Sequence, residues 1–245
     1  MNAFQTAEPF PHLVLDDFAP AGLLAEVHRS FDAVPAGAWH TYDGPDERGK
    51  RACNRSEFFL PPAADLLRWL TSAGVCRLLE QLTGLDRLTA DPELYGGGLH
   101  ATAPGGYLHP HLDCERHPST DDERRLNLIL YVTPGWHEDW GGDLELWPRS
   151  LAGPAVSIPP LFGRAVVFAC GPWSYHASSL VTGPLERRSV ACYYWGPHRA
   201  RARFVRTAHE GWDAEIEAAR QSRSAFRSVH QSSHAAAPTI PTHAG

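Results

Sequence analysis

Apolar residues recur along this chain at two different spacings. In Ala21 to Phe31, Ala63 to Trp69 and Gly74 to Leu82 they fall every three or four positions, the repeat of a helix with one buried face. From about Leu88 to Trp195 they gather instead in short stretches bounded by glycine and proline. These are Glu93 to Ala101, Gly106 to Asp113, Leu126 to Val132, Gly142 to Trp147, Ala155 to Ile158, Ala165 to Cys170 and Arg187 to Trp195. Runs of this length without helical segments between them predict an antiparallel sandwich or jelly roll. An opening strand is expected within Pro9 to Phe18, and Pro20 stands at the start of the helix that follows. The predicted class is therefore mainly β with flanking helices, the N-terminal ones packed on the sheet.

Three segments carry a weaker apolar pattern. Ala36 to Ser56 is turn-rich and charged, and its Asp46 to Arg51 run reads as a solvated loop that meets a substrate only if it covers a pocket mouth. His209 to Arg227 predicts an amphipathic C-terminal helix with Trp212, Ile216, Ala219 and Phe226 on its apolar face. Residues 228–245, rich in Ala, Ser, His and Pro, read as a disordered tail whose histidines are not ligands. One domain is expected over residues 1–227, with its β core at about 88–196.

Composition narrows the function. The chain has 245 residues, 43% hydrophobic and 20% charged, which is globular usage. A net charge of -6 argues against a phosphate backbone as the main partner. Met1 to Phe10 has neither a basic nor an apolar stretch, and the longest apolar runs fall far short of the ~20 residues of a membrane span. The five cysteines, Cys53, Cys76, Cys114, Cys170 and Cys192, are scattered with no CxxC pair, so neither a disulfide framework nor a thiolate zinc site is indicated. A cytoplasmic protein without nucleic-acid or membrane partners is the expectation.

The 14 histidines are the remaining chemical signal. On a strand, side chains two apart leave the same face, so Tyr107, His109, His111 and Asp113 are expected to share one. His111 and Asp113 can then meet one metal, and a distant third ligand would complete the two-His, one-carboxylate set suited to Fe(II) with open positions. Chance alone supplies about one HxD pair in such a composition, and the chain has two. His137/Asp139 lies in a loop-like stretch and is read as a decoy. His176 follows the apolar strand ending at Cys170. In the alternating segment after it, Arg187, Ser189, Ala191, Tyr193 and Trp195 share a face. An inward Arg187 with Ser189 needs an anionic partner, and a carboxylate ligand suits it.

Together these residues resemble the 2-oxoglutarate and Fe(II)-dependent dioxygenases, in the prolyl 4-hydroxylase-like branch. The resemblance is strongest from Tyr95 to Trp195. It rests on Pro104-Gly-Gly-Tyr-Leu-His-Pro-His-Leu-Asp113, on Arg124 to Tyr131 with Gly141-Gly-Asp-Leu-Glu-Leu-Trp147, and on Tyr175-His176 followed by Gly183 and Arg187-Arg-Ser189. It implies a double-stranded β-helix (jelly roll) and iron ligation by His111, Asp113 and His176. It further implies contacts to 2-oxoglutarate from Arg187, Ser189 and Tyr131, with Asn127 on the same face and Arg188, of the wrong parity, as second choice. Where some relatives carry a cosubstrate-binding tyrosine ahead of the glycine turn, this chain has Thr102 and Ala103. The implied reaction uses O2 and 2-oxoglutarate to hydroxylate a C–H bond of a small molecule, amino acid or prolyl substrate, releasing succinate and CO2. Two rivals stand beside it: a cupin using His109, His111 and Glu115, and a catalytically silent jelly-roll binding module.

Overall fold

The computed structural model describes residues 2–113, 116–120 and 122–197, so the expected C-terminal helix and tail lie outside the described residues. The helices are α1 (Ala3–Thr6), α2 (Ala21–Ser30), α3 (Pro61–Leu70) and α4 (Ala73–Thr83). The strands are β1 (His12–Leu15), β2 (His40–Tyr42), β3 (Glu47–Cys53), β4 (Thr89–Ala90), β5 (Gly98–His111), β6 (Glu123–Tyr131), β7 (Leu144–Leu146), β8 (Val156–Ile158), β9 (Ala165–Ala169), β10 (His176–Ser178) and β11 (Arg187–Gly196). They pair antiparallel in the order β1-β9-β6-β11-β5-β10-β7-β8, with β3 alongside β5, β2 beyond β3, and β4 on β11. β5 joins the two halves. Its first residues pair β11, and its last pair β10, so the sheet curls over as a jelly roll.

Alternation along each strand divides the side chains between two environments. Leu99 and Ala101 of β5, Leu126, Leu128 and Leu130 of β6, Ala165 and Val167 of β9, and Val190, Cys192 and Tyr194 of β11 face the helices. There they meet Leu24 and Val27 of α2, Leu66, Leu67 and Leu70 of α3, and Val75 and Leu79 of α4. Each such leucine contributes about 1.5–3 kcal/mol through burial, which holds the helices on the sheet. The helices start where the sequence allows. Prolines open α3, whose first-turn N–H groups have no helical partner anyway, and the Ser72 hydroxyl accepts from Val75 N at 3.3 Å to cap α4. The opposite strand face is apolar at one end, where Phe10, Tyr131, Leu144, Leu146, Ile158, Val166 and Phe168 cluster. Elsewhere it carries His100, Thr102, Asn127, Arg187 and Ser189.

Three local expectations are corrected. The charged stretch Ala36 to Ser56, with its Asp46 to Arg51 run, is a β2–β3 hairpin with β3 hydrogen-bonded to β5, not a solvated loop. It lacks a hydrophobic alternation because both faces are polar: Lys50 lines the cavity below, while Arg51 pairs with Glu186 at 2.9 Å. The stretches Glu93 to Ala101 and Gly106 to Asp113 meet in one strand, β5, in which Pro104-Gly105-Gly106 forms a bulge and not a turn. The pairing jumps from Lys50↔Thr102 to Arg48↔Tyr107 across it. Tyr107 and His109 do not share the face of His111. Three residues of β10 span four of β5, with Ser178 opposite Leu108 and His176 opposite His111. Pro110, with no N–H for the ladder, lies in this second bulge.

Gly106 has no room for a side chain. A Cβ there would lie 2.8 Å from the Arg48 and Ala103 carbonyl oxygens and 2.6 Å from the Thr102 methyl. Gly106→Ala is expected to lower the unfolding free energy by about 2 kcal/mol or more, by forcing β3 from the β5 bulge. Chemical denaturation measures it, and a change below 0.5 kcal/mol would contradict the close approach.

Candidate metal centre

The β11 ladder delivers the inward residues in rows. Lys50 of β3 lies opposite Thr102 of β5, and Thr102 lies opposite Arg187 of β11. The next row runs Ala52, His100, Ser189 and Tyr131 through β3, β5, β11 and β6. Tyr193 and Asn127 form another pair further along. Residues directly opposite in register point to the same side of a sheet, so parity sends Arg187 inward and Arg188 outward. Arg188 is held there by Asp32, Glu186 and the His28 carbonyl.

At the open end of these rows His111, Asp113 and His176 converge, each offering one ligand atom within 4.8 Å of the others. His111 and His176 sit opposite each other on β5 and β10, ring centroids 4.3 Å apart. His111 Nδ1 lies 2.9 Å from the His109 carbonyl and His176 Nδ1 lies 3.0 Å from the Ser174 carbonyl. A carbonyl only accepts, so both rings carry the proton on Nδ1 and leave Nε2 as the lone-pair donor. The Nε2 atoms face Asp113 at 3.9 and 3.8 Å. Asp113 Oδ2 accepts from Asn127 Nδ2 at 3.2 Å and lies 3.4 Å from Arg124 Nη1. Arg124 is itself sandwiched against Tyr193 and Trp195, 3.7 and 4.8 Å from their ring centres.

These surroundings set the charge of the donors. Burial opposes ionisation of Asp113, but His176, Arg124, His111 and the Asn127 hydrogen bond outweigh it and hold the carboxyl below its ordinary range. Burial, reinforced by His176, pushes His111 down to about 3. A neutral imidazole and an ionised carboxylate are the forms that bind a metal.

Behind the triad lies a chamber of about 80 Å³ lined by Lys50, His100, Thr102, Asn127, Arg187 and Ser189, among others. A larger cavity of about 660 Å³ opens outside it, lined by Tyr42, Tyr95, Gly96, Gly97, Arg124 and Tyr193 and sharing His111 and Asp113. Arg187 donates to Tyr131 Oη at 3.1 Å across the chamber floor. Four buried polar atoms of the chamber lining, His100 Nε2, Asn127 Oδ1, Ser178 Oγ and Arg187 Nε, have no hydrogen-bond partner among the described residues. Native interiors rarely leave such groups unmet, so the lining fits a polar, anionic ligand beside a metal.

Six of the seven residues singled out by the sequence line the chamber: His111, Asp113, His176, Arg187, Ser189 and Asn127; Tyr131 sits in the apolar cluster and reaches the site through its hydrogen bond with Arg187. Asn127 serves Asp113 directly through its amide. His137 and Asp139 are exposed around a short turn at Glu138–Trp140, away from the cluster. Lys50, His100, Thr102 and Arg124 are added by the structure. His100 follows from the parity of Leu99 and Ala101, whereas Lys50 requires the hairpin. Arg124 enters through a register shift between Tyr194 and Trp195 that parity does not foresee.

A jelly roll presenting two imidazoles and one carboxylate beside a cationic pocket defines the class of non-haem iron oxygenase scaffolds. The family comparison is more specific: residues 97–195 match the model of the 2OG-Fe(II) oxygenase superfamily. Mouse prolyl 3-hydroxylase OGFOD1 is 30% identical over 113 residues, 38% of this chain but 20% of that protein. A prolyl-4-hydroxylase from Pseudomonas putida shares the fold with a TM-score of 0.53 at 21% identity, over 76% of this chain and 92% of the other. So does a prolyl hydroxylase from Trichoplax adhaerens solved with a hypoxia inducible factor peptide, at TM-score 0.56 and 18% identity, over 75% and 83%.

Burial, aided by the charges of Lys50 and Arg187, holds His100 down at about 3 against an ordinary 6.5. Below pH 6.5 the unfolded chain therefore takes up a proton that the folded chain refuses, and stability falls as pH drops from about 6.5 toward 3. At pH 5 the cost from His100 is about 2 kcal/mol. His100→Gln should remove that share of the stability lost between pH 7 and 5 in urea unfolding. An unchanged loss would show that His100 is not held neutral.

Proposed function

We propose that the protein is an Fe(II)- and 2-oxoglutarate-dependent dioxygenase that hydroxylates a C–H bond of a prolyl, peptidyl or related small substrate. The observation that carries this reading is the convergence of His111 Nε2, His176 Nε2 and the Asp113 carboxylate on a polar chamber lined by Arg187, whose guanidinium is steadied by Tyr131. His111, Asp113 and His176 would hold the iron, and the Nδ1 hydrogen bonds to backbone carbonyls keep both rings in the ligating tautomer. Asn127 and Arg124 fix the carboxylate and keep it ionised. Arg187, steadied by Tyr131 and flanked by Ser189, would bind the far carboxylate of 2-oxoglutarate as a charge-assisted pair. When bound, iron, 2-oxoglutarate and O2 supply the oxidising chemistry, in which one oxygen atom enters succinate as CO2 leaves and the other hydroxylates the substrate.

The outer cavity would receive the substrate, with Arg124, Tyr95 and Tyr193 offering a cation and aromatic faces. Prolyl hydroxylases among the relatives support a peptidyl occupant. The Asp113 carboxylate occupies the position that halogenases of this superfamily leave to a small residue, which favours hydroxylation. The cupin ligand set is disfavoured because His109 lines neither cavity. Four described cysteines are free, which suits the reducing, cytoplasmic setting we propose.

Anaerobic addition of Fe(II) and 2-oxoglutarate should produce the weak visible charge-transfer band of a chelated keto acid, and air should then release succinate. Arg187→Ala should weaken 2-oxoglutarate binding by about tenfold or more, the worth of a charge-assisted hydrogen bond, while Arg188→Ala leaves it near wild type. Absence of the band and of succinate would overturn the assignment, and equal losses in the two arginine variants would overturn the role of Arg187.

A further inference from the structure

We infer that Lys50 is a second cationic contact for the keto acid, meeting the carboxylate nearest the triad while Arg187 holds the far one. This rests on the 2-oxoglutarate reading above. The argument begins with register: Lys50, Thr102 and Arg187 are consecutive partners across β3, β5 and β11, so their side chains leave the same face of the sheet. A dicarboxylate brings two negative charges into the chamber. Among the described residues lining it, Lys50 and Arg187 are the two that carry an ammonium or guanidinium group. Arg187 stands on the floor with Tyr131. Lys50 stands at the throat, lining both the chamber and the outer cavity together with His111 and Asp113.

The present partners of Lys50 leave capacity for a ligand. Its Nζ lies 3.7 Å from Glu47, a long ion pair, and 4.8 Å from the centre of the Tyr42 ring. An ammonium has three donors, so it can keep Glu47 and still meet a carboxylate. Burial and the Arg187 charge disfavour its charged form, whereas Glu47 and Asp113 favour it; an incoming anion would add to the second group. Thr102, directly opposite Lys50, is short. Lys50 reaches that side of the chamber from the neighbouring strand.

The test is calorimetric titration of Mn(II)-loaded full-length protein with 2-oxoglutarate and, separately, with oxalate, which carries the metal-facing half alone. No hydroxylation substrate is present, so a role for Lys50 in reading that substrate would leave these titrations unchanged and overturn the inference. Lys50→Met should weaken 2-oxoglutarate binding by about tenfold or more, and Lys50→Arg, which keeps the charge, should recover most of it. Oxalate affinity should fall in Lys50→Met and hold in Arg187→Ala. Arg51→Met, on the opposite face of β3, should bind as wild type. Wild-type binding by Lys50→Met, with binding lost in Arg187→Ala, would overturn this inference and leave the dioxygenase assignment standing. Failure of the wild-type protein to bind 2-oxoglutarate would overturn both. Equal losses in Lys50→Met and Lys50→Arg with lowered unfolding midpoints would mark Lys50 as structural and likewise overturn it.

Discussion

The site depends on keeping one buried carboxylate charged. Removing a carboxylate from water costs several kcal/mol unless opposite charge and hydrogen bonds replace its hydration. Asp113 receives that replacement from His176, Arg124, His111 and Asn127. Each of these is held by something else. The two imidazoles are oriented by backbone carbonyls, and His176 also packs on Phe168, ring centres 4.8 Å apart. Arg124 lies against Tyr193 and Trp195, and Trp195 meets His117 edge-on at 4.9 Å. His117 pairs at 3.3 Å with Asp91, whose carboxylate accepts from the backbone N–H groups of Glu93 and Tyr95. One contact network therefore links the triad to the Tyr95–Gly97 wall of the outer cavity.

Sheet register distributes the chemistry. β11 is the central strand of the ladder, with β6 on one side and β5 on the other, and alternate residues along it serve opposite functions. Val190, Cys192 and Tyr194 hold the helices, while Arg187, Ser189, Ala191 and Tyr193 furnish the cavity. A shift of one residue would exchange the two sets, burying guanidinium against leucine. The long apolar contact between sheet and helices thus fixes which arginine reaches the chamber. The bulges in β5 modify the pattern where it must change, and the second one brings His111 opposite His176 on a strand pair whose regular register would have placed Pro110 there.

This division explains how much of the protein was legible in its sequence. Elements whose two faces differ in polarity, such as β6 and β11, carry an alternation that names both the core and the site. Arg187 and Ser189 were visible for that reason, Tyr131 and its face-mate Asn127 through family resemblance, and the iron set through HxD spacing and that resemblance. β3 hid because Lys50 and Arg51 place charge on both faces, one toward the cavity and one toward Glu186, so its pattern matched a solvated loop. The three-residue β10 is too short to show a period. Arg124 and the outward turn of His109 depend on register shifts, which are set by pairing between distant strands and leave no local trace in the sequence.

The same reasoning accounts for the two adjacent arginines of β11. Arg188 is the more heavily paired: Asp32, Glu186 and the His28 carbonyl bind it, and its guanidinium lies 5.3 Å from the Phe31 ring centre. It ties the α2 end of the helical layer to the strand edge. Arg187 has Tyr131 and an Nε with no acceptor among the described residues. A structural arginine is satisfied by the protein, whereas one intended for a ligand must keep donors available and remain buried enough for them to count. Two identical side chains one residue apart thus take unlike roles because the sheet turns one toward the acids that anchor it and the other toward a chamber that leaves a donor unmet.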